Sequence, residues 1–295
     1  VVIRIDPISV PHLLIAGEPG AGKSALMRTI AISLALNNRQ SQFQLMVLAL
    51  ESEESRRDHM TLEPLVYLPH MLTAVCHRHE EIVESLAFLT AEMQYRQEQQ
   101  NPQPLILVLI DHVAEMLEMG GEPVSVPLQQ LLQRGPDVGI HLVLSTSRPH
   151  AASLDSLMKA NCPMRIVGRL LDGAASRAAA GTDSVRADYL LGAGEFLVVA
   201  SGPQTFFQAA FLGDFDQHLC LQLLHRQRSR ALLAYPIKVN GSSHTTKTKR
   251  PELDSQPFTL DEHVVELGQD TSEPLVLDGD MPPSEYDDGL EEYES

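Results

Sequence analysis

Between residues 12 and about 212, short apolar runs alternate with longer segments in which apolar residues recur every three to four positions. Unbroken runs of four to eight apolar residues mark strands buried on both faces, and the longer 3.6-period segments mark helices packed against them. His12–Ala16 is predicted as the first strand and Ser24–Leu36 as the helix behind it, with Gln44–Leu50 a second buried strand. Over Glu80–Gln99, Ile82, Val83, Leu86, Leu89 and Met93 share one helical face, and Pro104–Ile110 follows as a third strand. Val126–Gln133 reads as helix, Ile140–Ser145 and Arg165–Val167 as the fourth and fifth strands. Phe196–Ala200 and Thr205–Phe211 read as a closing hairpin around Ser201-Gly202-Pro203. Gln217–Leu233 is the last helix expected, ended near Pro236. Strands alternating with helices in this way predict an α/β domain, a mostly parallel sheet with helices on both faces.

Composition divides the chain into three parts: a globular domain over 1–236, a polar linker over 237–250 and an acidic tail over 251–295. The linker carries Gly241-Ser242-Ser243 and the basic stretch Lys247–Arg250. The tail holds fifteen Asp and Glu and no Lys or Arg, too little apolar surface to offset the entropy of ordering, and is expected to be disordered. Of the net charge of -17, all but two units therefore reside in the tail, because residues 1–250 carry 24 acids against 22 bases. A near-neutral body neither demands nor excludes nucleic acid, since a local basic patch decides phosphate contacts. The chain opens on Val1 without a charged-then-apolar leader, which suggests a trimmed fragment rather than a signal peptide. Leu105–Ile110 is far too short to span a bilayer, so no transmembrane segment is expected. Cys76, Cys162 and Cys220 are odd in number and widely spaced, which fits a reducing cytoplasm rather than a disulfide framework. Cys76-His77 with His79 has no second ligand pair at zinc spacing, so no zinc site is expected.

The chemistry begins at Gly17-Glu18-Pro19-Gly20-Ala21-Gly22-Lys23-Ser24, a complete G-x-x-x-x-G-K-[ST] phosphate-binding loop between a strand and a helix. Its glycines allow a tight turn that aims backbone N–H groups at phosphate oxygens, and the following helix adds the positive end of its dipole. Lys23 is expected to reach the β- and γ-phosphates and the Ser24 hydroxyl to ligate Mg²⁺. Asp111, at the end of the apolar run Leu105–Ile110, is the carboxylate expected to accept hydrogen bonds from magnesium-bound water. Glu18 is expected to face solvent.

Further segments carry a resemblance. Pro11-His12-Leu13-Leu14-Ile15-Ala16-Gly17, Pro69-His70-Met71-Leu72-Thr73, Glu92-Met93 and Gly139-Ile140-His141-Leu142-Val143-Leu144-Ser145-Thr146 resemble blocks of the FtsK/SpoIIIE family. So do Arg148-Pro149, Lys159-Ala160-Asn161-Cys162-Pro163-Met164-Arg165-Ile166 and Leu191-Gly192-Ala193-Gly194-Glu195, all in family order across roughly residues 10–212. The resemblance implies a RecA-like P-loop motor domain, ATP as the nucleotide, and a homo- or hetero-oligomeric ring, typically a hexamer, that threads double-stranded DNA. Arg148, Arg165 and Arg177 hold motif-like positions, and Arg165 is the candidate finger acting on a neighbouring subunit's nucleotide.

Three departures qualify that expectation. Where the family places a catalytic glutamate directly after the Asp, this chain has His112. A carboxylate orients and polarises the attacking water, whereas an imidazole is poorly suited to that task beside metal and phosphate. Glu115 could substitute only if a loop turned it inward. The family's polar sensor after the fourth strand, a glutamine, is Ser147 here, and the segment before that strand keeps only Arg134 and adds Asp137. Fewer phosphate contacts predict weaker and less salt-sensitive DNA binding. The chain is thus expected to be an ATP-binding FtsK/SpoIIIE-like domain acting on double-stranded DNA within a ring, with hydrolysis weakened by His112. The alternative is a hydrolysis-poor nucleotide-binding module of a secretion assembly of the EccC type.

Overall fold

The computed structural model describes residues 8–51, 62–152, 154, 161–200 and 202–226. The expected linker and tail, the end of the last helix, the turn residue Ser201 and the motif residues Lys159 and Ala160 lie outside them.

Seven strands of the described residues form one sheet in the order β2-β3-β4-β1-β5-β6-β7. They are β1 (Leu13–Ala16), β2 (Phe43–Ala49), β3 (Leu105–Asp111), β4 (Ile140–Thr146), β5 (Met164–Val167), β6 (Glu195–Val199) and β7 (Thr205–Gln208). The first five pair in parallel, and β6 and β7 close one edge as antiparallel strands. The helices are α1 (Lys23–Asn37), α2 (His79–Gln99), α3 (Val113–Arg134), α4 (Gly173–Ala180) and α5 (Asp214–Arg226).

Because successive strand residues point to opposite faces, each central strand feeds two cores. Leu14, Met46, Leu48, Val108, Ile110 and Leu142 pack with α2 and α3 on one face. Leu13, Ile15, Leu45, Val47, Leu107 and Leu109 pack with α1 on the other, where Leu224 of α5 joins them. Double-sided burial explains the unbroken apolar runs of β1 and β3, and the architecture is the RecA-like α/β arrangement expected from the chain.

Two elements differ from expectation. Val126–Gln133 is only the second half of α3, which starts at Val113 and carries non-helical backbone at Gly121 (φ 55°, ψ -146°). The Gly120-Gly121 pair with Pro123 obscured the first half, although Val113, Ala114, Met116 and Leu117 are buried. The alanine-rich α4 was not anticipated, since it is only eight residues long and five of them are alanines, with no large apolar side chain to mark a buried face. Its start is capped by Asp172, whose carboxylate accepts the Ala175 N–H at 2.7 Å.

His12, just before β1, is fully buried and joins two elements of the core. Its Nδ1 accepts the Leu142 N–H at 3.0 Å, so the proton sits on Nε2, which donates to the Leu132 carbonyl at 2.9 Å. Burial, with the His141 ring nearby, lowers its pKa to about 4 despite the Leu132 bond. Between pH 6.5 and 4 the unfolded chain binds a proton that native His12 refuses, so stability falls as pH falls through that window. The linked loss amounts to about 3 kcal/mol. Urea unfolding from pH 7 to 4 is expected to lose stability more steeply for the native chain than for His12→Asn. Equal slopes would contradict it.

Candidate functional site: the phosphate loop and its carboxylate

The phosphate loop is pinned by strands on both sides of β1. The Gly17 N–H donates to the Thr146 carbonyl at 3.1 Å, the Gly168 N–H to Ala16 at 2.7 Å, and the Glu18 N–H to Arg169 at 2.8 Å. Gly22 precedes α1 with φ 100°, and a Cβ there would lie 3.0 Å from the Gly194 nitrogen. Both the left-handed backbone and this close approach require glycine. The contact is functional in shape, because the Gly194 N–H donates to the Ala21 carbonyl at 2.9 Å and holds the 192–195 turn against the loop. α1 then begins at Lys23 with its first N–H groups facing the loop, the arrangement that binds anions at helix N-termini.

Lys23 is 2% exposed, and its Nζ donates to the Glu18 carbonyl at 3.2 Å. The ammonium is thus held over the loop it is expected to serve. Ser24 Oγ donates to Asp111 Oδ2 at 3.1 Å, across 87 residues of sequence. Hydroxyl and carboxylate oxygen side by side, in a buried setting beside a phosphate loop, form the donor set a hard divalent cation takes. Pro19, Gly20 and Ala21 complete the loop, with Gly20 at φ 81° and the Ala21 N–H bonded to the Glu18 carbonyl at 3.1 Å.

Ser145 was quoted within a motif but given no role. It ends up between the two halves of the site because β4 lies between β1 and β3. Its hydroxyl donates to Asp111 Oδ1, which also accepts the His112 N–H at 3.1 Å. Strand order decides that contact, and no local spacing announces it.

His112 sits where strand passes into helix, in left-handed backbone at φ 53° and ψ 48°, and is 2% exposed. Its Nε2 lies 3.9 Å from Asp111 Oδ1, so an imidazole occupies the space next to the carboxylate. Glu115 lies in the first turn of α3 rather than on a loop. Its carboxylate accepts from Arg148 Nε at 2.9 Å, while Arg148 Nη2 binds Glu118 at 2.9 Å. That pairing commits Glu115 to Arg148. The Ser147 Oγ is buried and takes no hydrogen-bond partner among the described residues.

Two placements differ from expectation. Glu18 does not face solvent: its carboxylate pairs with Arg169, and its side chain is only 13% exposed. Arg165 is 8% exposed and donates to the Cys162 and Ala179 carbonyls of its own chain at 3.3 and 3.2 Å. A guanidinium so engaged would have to break both bonds to act on another subunit. Arg177, half exposed and 3.7 Å from Asp183, is the freer of the two. Cys76 Sγ lies 3.3 Å from the Ser85 hydroxyl, and His77 Nε2 pairs with the Glu63 carboxylate at 2.6 Å. Among the described residues no helix is long and apolar enough to cross a membrane.

Comparison with known proteins agrees with this geometry. Residues 1–101 match the model of the FtsK/SpoIIIE family. The DNA translocase FtsK of Staphylococcus aureus (strain Mu50 / ATCC 700699) is 31% identical over 244 residues, covering 71% of this chain and 30% of the relative. The DNA translocase FtsK of Campylobacter jejuni subsp. jejuni serotype O:23/36 (strain 81-176) is 30% identical over 251 residues, covering 76% and 25% respectively. The chain thus spans less than a third of the length of these relatives. Among solved structures, the pCW3 conjugation coupling protein TcpA, in monomer form with ATPγS, superposes with a TM-score of 0.59 at 24% identity, covering 75% of this chain and 67% of that one. The cytoplasmic domain of the type VII secretion ATPase EccC of Thermomonospora curvata gives a TM-score of 0.58 at 21% identity, covering 72% and 28%. Both likenesses concern the fold alone; the family matched in sequence is one of P-loop ATPases, a class that in general binds nucleotide with a divalent metal. Family model, relatives and phosphate-loop geometry agree that this chain belongs to the FtsK/SpoIIIE family.

Proposed function

We propose that this chain is a motor-type domain that binds ATP with Mg²⁺, acts on double-stranded DNA as part of a ring, and hydrolyses ATP slowly because His112 stands in the water-positioning place. The observation that carries the reading is the 3.1 Å bond between Ser24 and Asp111, which joins the phosphate loop to the carboxylate at the end of β3. Lys23 neutralises phosphate charge, the N–H groups at the start of α1 orient the phosphate oxygens, and Ser145 fixes the Asp111 carboxylate against rotation. Bound Mg²⁺ would supply Lewis-acid stabilisation of charge on the phosphates. DNA as the partner rests on the relatives, which are named DNA translocases.

DNA binding is tested with the full chain and a double-stranded probe, with ATPγS and without nucleotide, over a series of salt concentrations. Binding that strengthens with ATPγS and weakens only shallowly with salt is expected, because the segment before β4 offers Arg134 beside Asp137. Arg134 is itself engaged by Gln97 at 2.6 Å. No DNA binding in either state at low salt would remove DNA from the account. The secretion-type reading, a nucleotide-holding module acting on protein, would then stand, favoured by the same His112.

A further inference from the structure

The phosphate loop carries a charge that its task does not call for. Glu18 puts a carboxylate on a loop built to receive polyanionic phosphates, and the backbone carbonyl of the same residue holds Lys23 Nζ at 3.2 Å. Arg169, two residues beyond β5, answers it twice. Its carbonyl accepts the Glu18 N–H at 2.8 Å, and its Nε pairs with the Glu18 carboxylate. The guanidinium is walled on another side by Gly192, where a Cβ would lie 3.4 Å from Arg169 Nε. Gly194 of the same turn bonds the loop through Ala21. The pair is thus built into the rim of the nucleotide site, with Arg169 still 47% exposed and Glu18 largely covered.

We propose that Arg169 is a charge-compensating positioning residue for nucleotide binding, masking the Glu18 carboxylate from the incoming phosphates. The proposal rests on the nucleotide-site reading above and makes the two members of the pair unequal. Without Arg169, a bare carboxylate faces the phosphates and repels them, and more strongly for a triphosphate than for a diphosphate. Without the Glu18 charge, Arg169 is left as an additional cation at the rim. A pair that served only to hold the loop in shape would instead make either loss equally harmful.

The test is calorimetric titration of ATPγS and ADP, with Mg²⁺, into the full chain, Glu18→Gln, Arg169→Gln and the double variant. Arg169→Gln is expected to bind ATPγS about tenfold more weakly, with a smaller loss for ADP and a defect that shrinks as salt is raised. Glu18→Gln should bind more tightly than the native chain, since it removes the charge that repels the phosphates. The double variant should return to within about threefold of native affinity, which also excludes misfolding as the cause of the single defect. An unchanged Arg169→Gln overturns the proposal. So do two equally weakened single variants that the double does not rescue. Absence of nucleotide binding in every protein, the native chain included, would strike the nucleotide-site reading itself and take this proposal with it.

Discussion

Lys23→Ala is expected to weaken binding of ATPγS by a factor of about 10² to 10³. The ammonium is 2% exposed and held 3.2 Å from the Glu18 carbonyl, so it is already placed over the loop with almost no water around it. A charge-assisted hydrogen bond in such a setting is worth about 1.5–3 kcal/mol, and in the proposed role the lysine would serve more than one phosphate oxygen. Losing two such contacts at the lower end of that range, about 3–4 kcal/mol in all, corresponds to roughly two to three decades in Kd. The fold should tolerate the change, because the helix and the strands on either side of the loop are held by backbone bonds at Gly17, Glu18 and Ala21. Equilibrium titration with a fluorescent ATP analogue, with thermal melts of the same samples, checks both statements. An affinity within about threefold of native would mean that phosphates are not bound at this loop.

His112→Glu is expected to raise ATP turnover by about ten- to a hundredfold. Correct placement of a general base contributes some 10² to 10⁴ in rate, and the gain expected here falls at or below the bottom of that range for two reasons. His112 occupies left-handed backbone at φ 53°, a region that histidine enters more readily than glutamate, so the variant should lose about 1 kcal/mol of stability. The new carboxylate would also sit beside Asp111, whose charge lies 3.9 Å from the present imidazole. Like charges so close repel, so the new side chain is not held in place as firmly as a native base would be. Glu115 offers no bypass while Arg148 holds its carboxylate at 2.9 Å.

Much of this was legible in the chain. The phosphate loop declares itself because its backbone geometry admits few residue types, and Gly22 meets that demand in both φ and contact. The place of Asp111 at a strand end was legible because a strand buried on both faces leaves an unbroken apolar run that ends on it. What escaped depends on neighbours far apart in sequence. Ser145 reaches Asp111 only because β4 is threaded between β1 and β3, and Arg169 reaches Glu18 only because β5 lies beside β1. Arg165 misled for the same reason. Its motif position says nothing about the Cys162 and Ala179 carbonyls that receive it. The first half of α3 was hidden by Gly120, Gly121 and Pro123, residues whose intrinsic preferences oppose helix; the helix does kink at Gly121, and the turns before it are set by burial of Val113, Ala114, Met116 and Leu117.

The most direct test of the account is steady-state ATP hydrolysis by the full native chain and His112→Glu, each with and without double-stranded DNA. The account predicts very slow turnover by the native chain and a clear gain in His112→Glu, largest with DNA present. Brisk hydrolysis by the native chain, unchanged or reduced in His112→Glu, would contradict it, since His112 would then be no obstacle to positioning the attacking water.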